Sequence, residues 1–384
     1  MISISTLYCG AELPSHELRY GRPGGADRGP VVVYNCTRRC NLDCVHCYSA
    51  STAGAQADEL TAAEAKGMLD DLAAMGVPVV LFTGGEPVLR DDLPELLAHA
   101  VRAGMRAVVS TNGTLITAET ARRFAEIGVG YVGVSVDGLR AAHDAFRRRE
   151  GAFASAMAGL EHCQAAGVKV GLRMTLTRRN VADLEGVFEL VRRREIPRVC
   201  FYHLVYTGRG EALRGEDLSA GQRREVLDRI MDLTAELHAD GRKVEVLTVD
   251  NHADGPFVYL RLARENPARA AEALELLRAN GGNASGVRLA CIGPDGDVMP
   301  DQFWQSQVLG NVRRRPFSRI WADESIGLLA ELRRRPRPLN GRCRRCRWLD
   351  VCNGNFRARA EAATGDPWGP DPACYLTEEE ITPA

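Results

Sequence analysis

Six near-continuous apolar runs recur about every 30 residues along the first half of the chain, with helical patterns between them. They are VVVYN (31–35), VPVVLFTG (77–84), RAVVST (106–111), YVGVSVDG (131–138), VKVGLRMTL (168–176) and RVCFYHLV (198–205). A strand that is apolar along its whole length is buried on both faces, as in a parallel sheet covered by helices. Thr61-x-x-Glu64 and Ser219-x-x-Gln222 are capping boxes that open the first and sixth helices. Asp91 starts the second helix, 117–127 and 152–166 are the third and fourth, and Asn180 caps the fifth. Six βα units in series, with right-handed crossovers, are two short of a closed eight-stranded barrel. The expected fold class is therefore α/β: a partial (β/α)6 barrel open on one side, with ligands at the C-terminal strand ends. A doubly wound open sheet would carry the same pattern.

The chain is long enough for more than one unit. Residues 1–30 are Gly- and Pro-rich towards their end and read as an extension. Residues 31–215 form the core, and 216–286 hold bridging helices and one more strand-like stretch, KVEVLTV. From 287 the texture changes to short strands, Pro, Trp, Arg and Cys, so 287–384 is expected to be a small cysteine-rich domain. Within it VRLACI and DVMP, separated by GPDG, read as a β-hairpin.

A net charge of -1 gives no reason to expect nucleic acid or a membrane surface as partner. No apolar run reaches the length of a membrane span, and the first residues lack the plan of a secretion signal. The expected location is cytoplasmic. Disulfides do not persist there, so the twelve cysteines need another explanation, and metal or catalysis is the usual one.

Two clusters answer to that. Cys40, Cys44 and Cys47 form C-x3-C-x2-C in the loop after the first strand. Three thiolates can hold three irons of a cubane cluster and leave the fourth open to a small molecule. On spacing alone, the same cysteines with His46 would also make a zinc site. Cys343, Cys346, Cys352 and Cys374 form C-x2-C-x5-C-x21-C, a complete ligand set for a second [4Fe–4S] cluster or for a structural zinc. Gly84-Gly85-Glu86-Pro87 closes the second strand; Glu86 offers an acceptor for an ammonium, and the two glycines let backbone approach a ligand.

The first cysteine spacing, followed by GGEP, resembles the signature of the radical S-adenosylmethionine (SAM) superfamily over roughly residues 31–215. The resemblance implies that Cys40, Cys44 and Cys47 carry a SAM-binding cluster. It also implies SAM contacts from Gly84, Gly85, Glu86 and Pro87, from Ser110, Asn112, Ser135, Asp137 and Arg173 at later strand ends, and from His46 and Tyr48 beside adenine. The C-terminal cysteines look like part of a SPASM domain. Arg315 and Phe356 stand where that family has further ligands, so one auxiliary cluster is expected and Cys291, at the hairpin position, reads as an unligated thiol.

Longer segments narrow the likeness. NCTRRC (35–40), HLVYTGRG (203–210), GGNASGV (281–287), GNVRRRPFSRIW (310–321), RCRRCRWLDVCNGN (342–355) and TGDPWGPDPACYL (364–376) resemble the NirJ family of haem d1 biosynthesis. That implies an oxidoreductase or lyase that removes propionate side chains from 12,18-didecarboxysiroheme after hydrogen abstraction by a 5′-deoxyadenosyl radical. It also implies a low-potential electron donor such as flavodoxin or ferredoxin. Candidate substrate contacts are His203, Tyr206, Arg209 and Cys291, with Arg288, Phe201, Phe303 and Trp304 as further possibilities. The runner-up is the related decarboxylase branch of alternative haem synthesis, acting on didecarboxysiroheme or Fe-coproporphyrin. A SPASM peptide-modifying maturase is a more distant rival.

Overall fold

The structure, a computed structural model, describes residues 1–13, 19–20, 29–54 and 58–383. Most of the Gly/Pro run at 21–30 lies outside them. One sheet organises the chain. Its strands are β1 Ile2–Ser3, β2 Val31–Thr37, β3 Val79–Gly84, β4 Arg106–Thr111, β5 Tyr131–Ser135, β6 Val170–Leu176, β7 Arg198–His203, β8 Glu245–Val249, β9 Leu289–Ile292, β10 Asp297–Met299 and β11 Gly310–Asn311. They lie in the order β1-β8-β7-β6-β5-β4-β3-β2-β9-β10-β11.

Strands β2 to β8 are all parallel and follow chain order without a reversal. A doubly wound sheet reverses its order at a switch point; this one does not. It is an α/β sheet whose parallel run in chain order is seven strands long rather than six, because KVEVLTV joins it as β8. The expected boundary at 286/287 also falls inside the sheet: β9 pairs in parallel with β2, Val33 opposite Cys291. The expected N-terminal extension is partly integral, since Ile2 and Ser3 pair with β8 and Ile4–Leu7 is a fully buried helical turn.

Side-chain alternation separates two faces. On β7, Val199 and Phe201 enter the large core under the helices, where Phe201 stacks on Phe188 at 5.4 Å. Cys200 and Tyr202 point the other way and pack with Leu247 and Val249 of β8. Both expected capping boxes form, at Thr61/Glu64 and Ser219/Gln222. The second helix, Leu93–Arg102, starts after Asp92 rather than at Asp91. Asn180 opens a 3-10 turn, with its side chain accepting from Thr177 N at 2.9 Å, and the helix proper is Leu184–Arg193. A helix at Arg140–Arg147 was not expected from the pattern.

Candidate active site

The C-terminal strand ends surround a cavity of about 1080 Å³, counted with its open mouth. Cys40, Cys44 and Cys47 line it, on the loop after β2. Cys40 and Cys44 are buried and Cys47 is half-buried. Burial, with the neighbouring Cys44 and Cys47, pushes the Cys40 thiol up to about 12 despite the Leu42 N–H that donates to it at 3.4 Å. Arg147 Nη1 donates to Cys44 Sγ at 3.4 Å, and Asn112 Nδ2 reaches Cys40 Sγ at 3.9 Å. A metal at these sulfurs would remove the protons and reverse that shift. Three thiols facing a cavity, with N–H donors aimed at the sulfurs, suit a cluster with one open corner.

The strand ends supply the rest of the wall. Ser110, Asn112, Ser135, Asp137, Arg173, His46 and Tyr48 line the cavity, and so do Gly84 and Gly85. Several of these groups are already engaged. Asp137 pairs with Arg147, accepts from Thr175 N at 2.8 Å, and lies 3.4 Å from His46 Nε2. Burial works against its charge, but Arg147 and His46 hold it below the ordinary carboxylate range. Burial lowers His46 to about 4, so its imidazole is neutral. Arg173 lies over the Tyr202 ring at 5.3 Å and bonds Ser110 Oγ.

Buried polar atoms of the wall still lack partners: His46 Nδ1, Arg147 Nε, Arg173 Nε, Gln302 Oε1 and Asp250 Oδ2. Buried polar groups are nearly always satisfied in a complete structure. This many orphans around one cavity fits a polar ligand such as an amino acid–nucleoside cosubstrate.

Several of the candidate residues stand away from the cavity lining or are engaged elsewhere. Glu86 does not reach the cavity, and neither does Pro87. The Glu86 carboxylate is fully buried and accepts from Thr111 Oγ1 at 2.7 Å, Asn112 N at 2.8 Å and Val88 N at 3.2 Å. It ties the end of β3 to the end of β4 and stands outside the residues that line the cavity. The glycines serve a backbone contact more than a ligand contact. A Cβ on Gly85 would meet Arg39 O at 2.0 Å, and one on Gly84, at φ +138°, would meet Thr37 O at 2.3 Å.

His203 borders the cavity, but its imidazole has the parity of Phe201 and Nε2 bonds Asp254 at 3.0 Å, with Tyr375 Oη on the other carboxylate oxygen at 2.7 Å. Tyr206 turns to Asp217 at 2.7 Å, and Arg209 clasps the first cysteine loop through Cys44 O at 2.7 Å and Ser51 O at 2.9 Å. Neither lines the cavity. Arg288 bonds Asn280 O, Phe201 is core, and Trp304 is buried with Nε1 on Glu361 at 2.7 Å. Phe303 does line the cavity, 5.1 Å from the Tyr48 ring. Cys291 is buried behind it with Val33 and Met299, and accepts from Asn35 Nδ2 at 3.5 Å; Asn35 Oδ1 in turn accepts from Tyr48 Oη at 2.9 Å.

Sequence reasoning missed Arg147, Tyr202, Gln302 and Asp250. Asp250 had a signal: it ends the run KVEVLTV as Asp137 ends VGVSV. At the other cluster, burial and the neighbouring Cys374, Cys343 and Cys346 push the Cys352 thiol well up, so the four thiols lie within reach of one another's field.

The fold and the thiol-lined cavity define a radical SAM enzyme with an appended iron–sulfur region. Residues 34–191 match the Radical SAM superfamily, and residues 285–347 match SPASM, an iron–sulfur cluster-binding domain. The cofactors are accordingly S-adenosylmethionine, a SAM-binding [4Fe–4S] cluster and auxiliary iron–sulfur. The chain is 54% identical over 395 residues to Fe-coproporphyrin III synthase of Methanosarcina barkeri, covering 99% of each. It is 45% identical over 355 residues to pre-heme d1 synthase of Dinoroseobacter shibae, covering 91% of this chain and 87% of that one. It belongs to the family of these two synthases. Among solved structures, Streptococcus suis SuiB bound to S-adenosylmethionine shares the fold, with a TM-score of 0.71 at 16% identity over 91% of this chain and 78% of that one. Among the described residues no helix is long and apolar enough to cross a membrane.

Proposed function

We propose that this chain removes carboxylate-bearing side chains from an iron tetrapyrrole, with formation of Fe-coproporphyrin III ahead of haem d1 synthesis. The observation that carries the reading is the 54% identity to Fe-coproporphyrin III synthase across 99% of both chains. Sequence motifs alone placed the haem d1 reaction first. The order is reversed here because the relative named for that pathway is 45% identical over a shorter span. A peptide substrate has less support: mycofactocin maturase MftC of Mycobacterium tuberculosis is 32% identical over 365 residues.

In this reading Cys40, Cys44 and Cys47 hold three irons of the first cluster, and Cys343, Cys346, Cys352 and Cys374 hold the second. Bound SAM, given an electron from a donor such as flavodoxin or ferredoxin, supplies a 5′-deoxyadenosyl radical. The chain's own residues position and shield. Backbone at Thr83–Gly85 offers acceptors to the cosubstrate ammonium, the role expected of the Glu86 carboxylate. Ser110, Asn112 and Ser135 face its hydroxyl and carboxylate groups, with His46 and Tyr48 beside the purine. Asp137 orients His46 and Arg147. Phe303, Tyr48 and Leu81 give a flat tetrapyrrole an apolar wall, and Arg173 offers a cation to a carboxylate.

The test is anaerobic incubation of the reconstituted enzyme with SAM, a strong reductant and 12,18-didecarboxysiroheme, followed by mass spectrometry. A product with the mass of Fe-coproporphyrin III supports the reading. A product that has lost propionates instead selects the haem d1 reaction. No tetrapyrrole product, with 5′-deoxyadenosine still released, rejects both.

A further inference from the structure

Asp250 is the residue in this cavity whose position costs most and whose chemistry is least used. It stands directly after β8, at the opposite end of the parallel run from the cysteine loop after β2. Its φ is +66°, in the left-handed region that residues with a Cβ adopt sparingly. Such strain persists only where the surroundings over-determine it. Here Arg359, a fully buried side chain from the C-terminal region, donates to Asp250 O at 2.8 Å and fixes the bend. The bend puts the carboxyl into the cavity wall, 93% buried, with Oδ2 unpartnered.

The charged and titratable groups whose fields reach it are Arg173 from β6, Tyr202 from β7, Arg359 from the helix Arg357–Thr364, Asp301 beyond β10, and the α-amine of Met1 beside β1. Of these, Arg173 also lines the cavity, with Nε buried and unpartnered while its Nη1 is engaged by Ser110. Asp250 Oδ2 and Arg173 Nε are thus two buried polar atoms in the wall of one cavity, each without a partner. Buried polar atoms are nearly always satisfied in a complete structure.

We propose that Asp250 and Arg173 form a subsite for one side-chain carboxylate of the substrate, with Arg173 donating from its guanidinium and a protonated Asp250 donating through Oδ2. The inference rests on the tetrapyrrole reading and deepens it. Protonation is what the environment favours. Burial pushes Asp250 up to about 7; the Met1 amine and Arg359 pull it down, Asp301 adds to the rise, and Arg173 lowers it. The sign follows. Below about 7 the carboxyl is a donor to the substrate oxygen, and above it the ionised group repels the same oxygen. Binding therefore weakens as pH rises.

The measurement is a Soret titration of anaerobic holoenzyme with 12,18-didecarboxysiroheme across pH. One linked proton gives about a 25-fold loss of affinity from pH ~6.5 to pH ~8.5. Asp250→Asn keeps the size and donates from Nδ2 at every pH, so its affinity should change by less than about twofold over that range. As a second measurement that needs no variant, the wild-type protein should bind the methyl-esterified tetrapyrrole more weakly than the acid at every pH, because the ester brings no charge to Arg173. Coincident pH profiles for wild type and Asp250→Asn, or an ester that binds as tightly as the acid, would overturn the subsite and leave the tetrapyrrole reading standing. Absence of any Soret change in wild-type protein at every pH would remove both.

Discussion

Arg147 shows how one side chain can serve fold and chemistry together. It comes from the helix Arg140–Arg147, is nearly buried, pairs with Asp137, and donates to Cys44 Sγ. Replacing it with Gln removes the cation paired with Asp137, and His46, 3.4 Å from the same carboxylate, is neutral. Breaking one partner of a buried ion pair leaves an uncompensated charge and costs about 3–5 kcal/mol. Arg147→Gln should lose that much stability in denaturant unfolding. It should also lower the midpoint potential of the first cluster, because a sulfur loses an N–H donor and the site loses a positive charge. A redox titration followed by EPR reads the second effect; an unchanged potential would mean that Arg147 acts on Asp137 alone. The residue was invisible in the sequence because nothing in RAAHDAFR separates a buried Arg from the many solvated ones.

At the scale of elements, the junction of β3 with the cysteine loop carries the site. Gly85 N donates to Thr37 O at 2.7 Å and Glu86 N to Arg39 O at 2.7 Å, so the two segments touch along their backbones. Gly85→Ala puts a methyl 2.0 Å from Arg39 O, with backbone on both sides and nothing able to swing away. Overpacking of this kind costs about 1–3 kcal/mol. The cysteine loop must shift, so reconstituted protein should fall from about eight irons per chain towards about four. Gly104→Ala is the control: it has φ +86° but open space around its Cβ, so it should cost about 1 kcal/mol and no iron. Iron assay and thermal unfolding of both variants decide the matter.

Much of this scale was legible in advance. Fully buried parallel strands announce themselves as unbroken apolar runs, and all six fell within about three residues of their observed places. The cysteine loop and strand-end polar residues were legible because their order along the chain is their order around the cavity. What could not be read was side-chain direction at a strand end. His203 looked available, yet the pleat turns it to Asp254 under the helices. Glu86 looked exposed to ligand, yet three donors from β4 and its own turn consume it.

The whole molecule poses a different question, whether its cysteine-rich end is a separate body. The sheet runs on through β9 to β11, and a buried ion pair joins that end to the core. Arg359 and Asp371, both fully inaccessible at their side chains, meet at 2.8 and 2.9 Å. Arg359 also donates to Leu204 O at 3.0 Å, just past β7, and to Asp250 O just past β8. Asp371 accepts from Phe356 N at 2.9 Å and Ala373 N at 2.9 Å, and its carbonyl accepts from Cys374 N at 3.1 Å. The pair thus fastens the loop of Cys374 to the two strand ends that border the cavity. Arg359→Met alone should cost about 3–5 kcal/mol, since it strands a buried carboxylate. Adding Asp371→Asn removes that charge, so the double variant should be more stable than the sum of the singles by about 1–3 kcal/mol in a double-mutant cycle. The core and the cysteine-rich end should also unfold together, with loss of absorbance from both clusters coinciding with loss of helical signal in wild-type protein. In Arg359→Met the second cluster should be lost first, and its transition should separate from that of the sheet. If the two transitions already lie apart in the wild type, the strut does not couple the ends, and the expected boundary near residue 287 describes the protein better than its continuous sheet does.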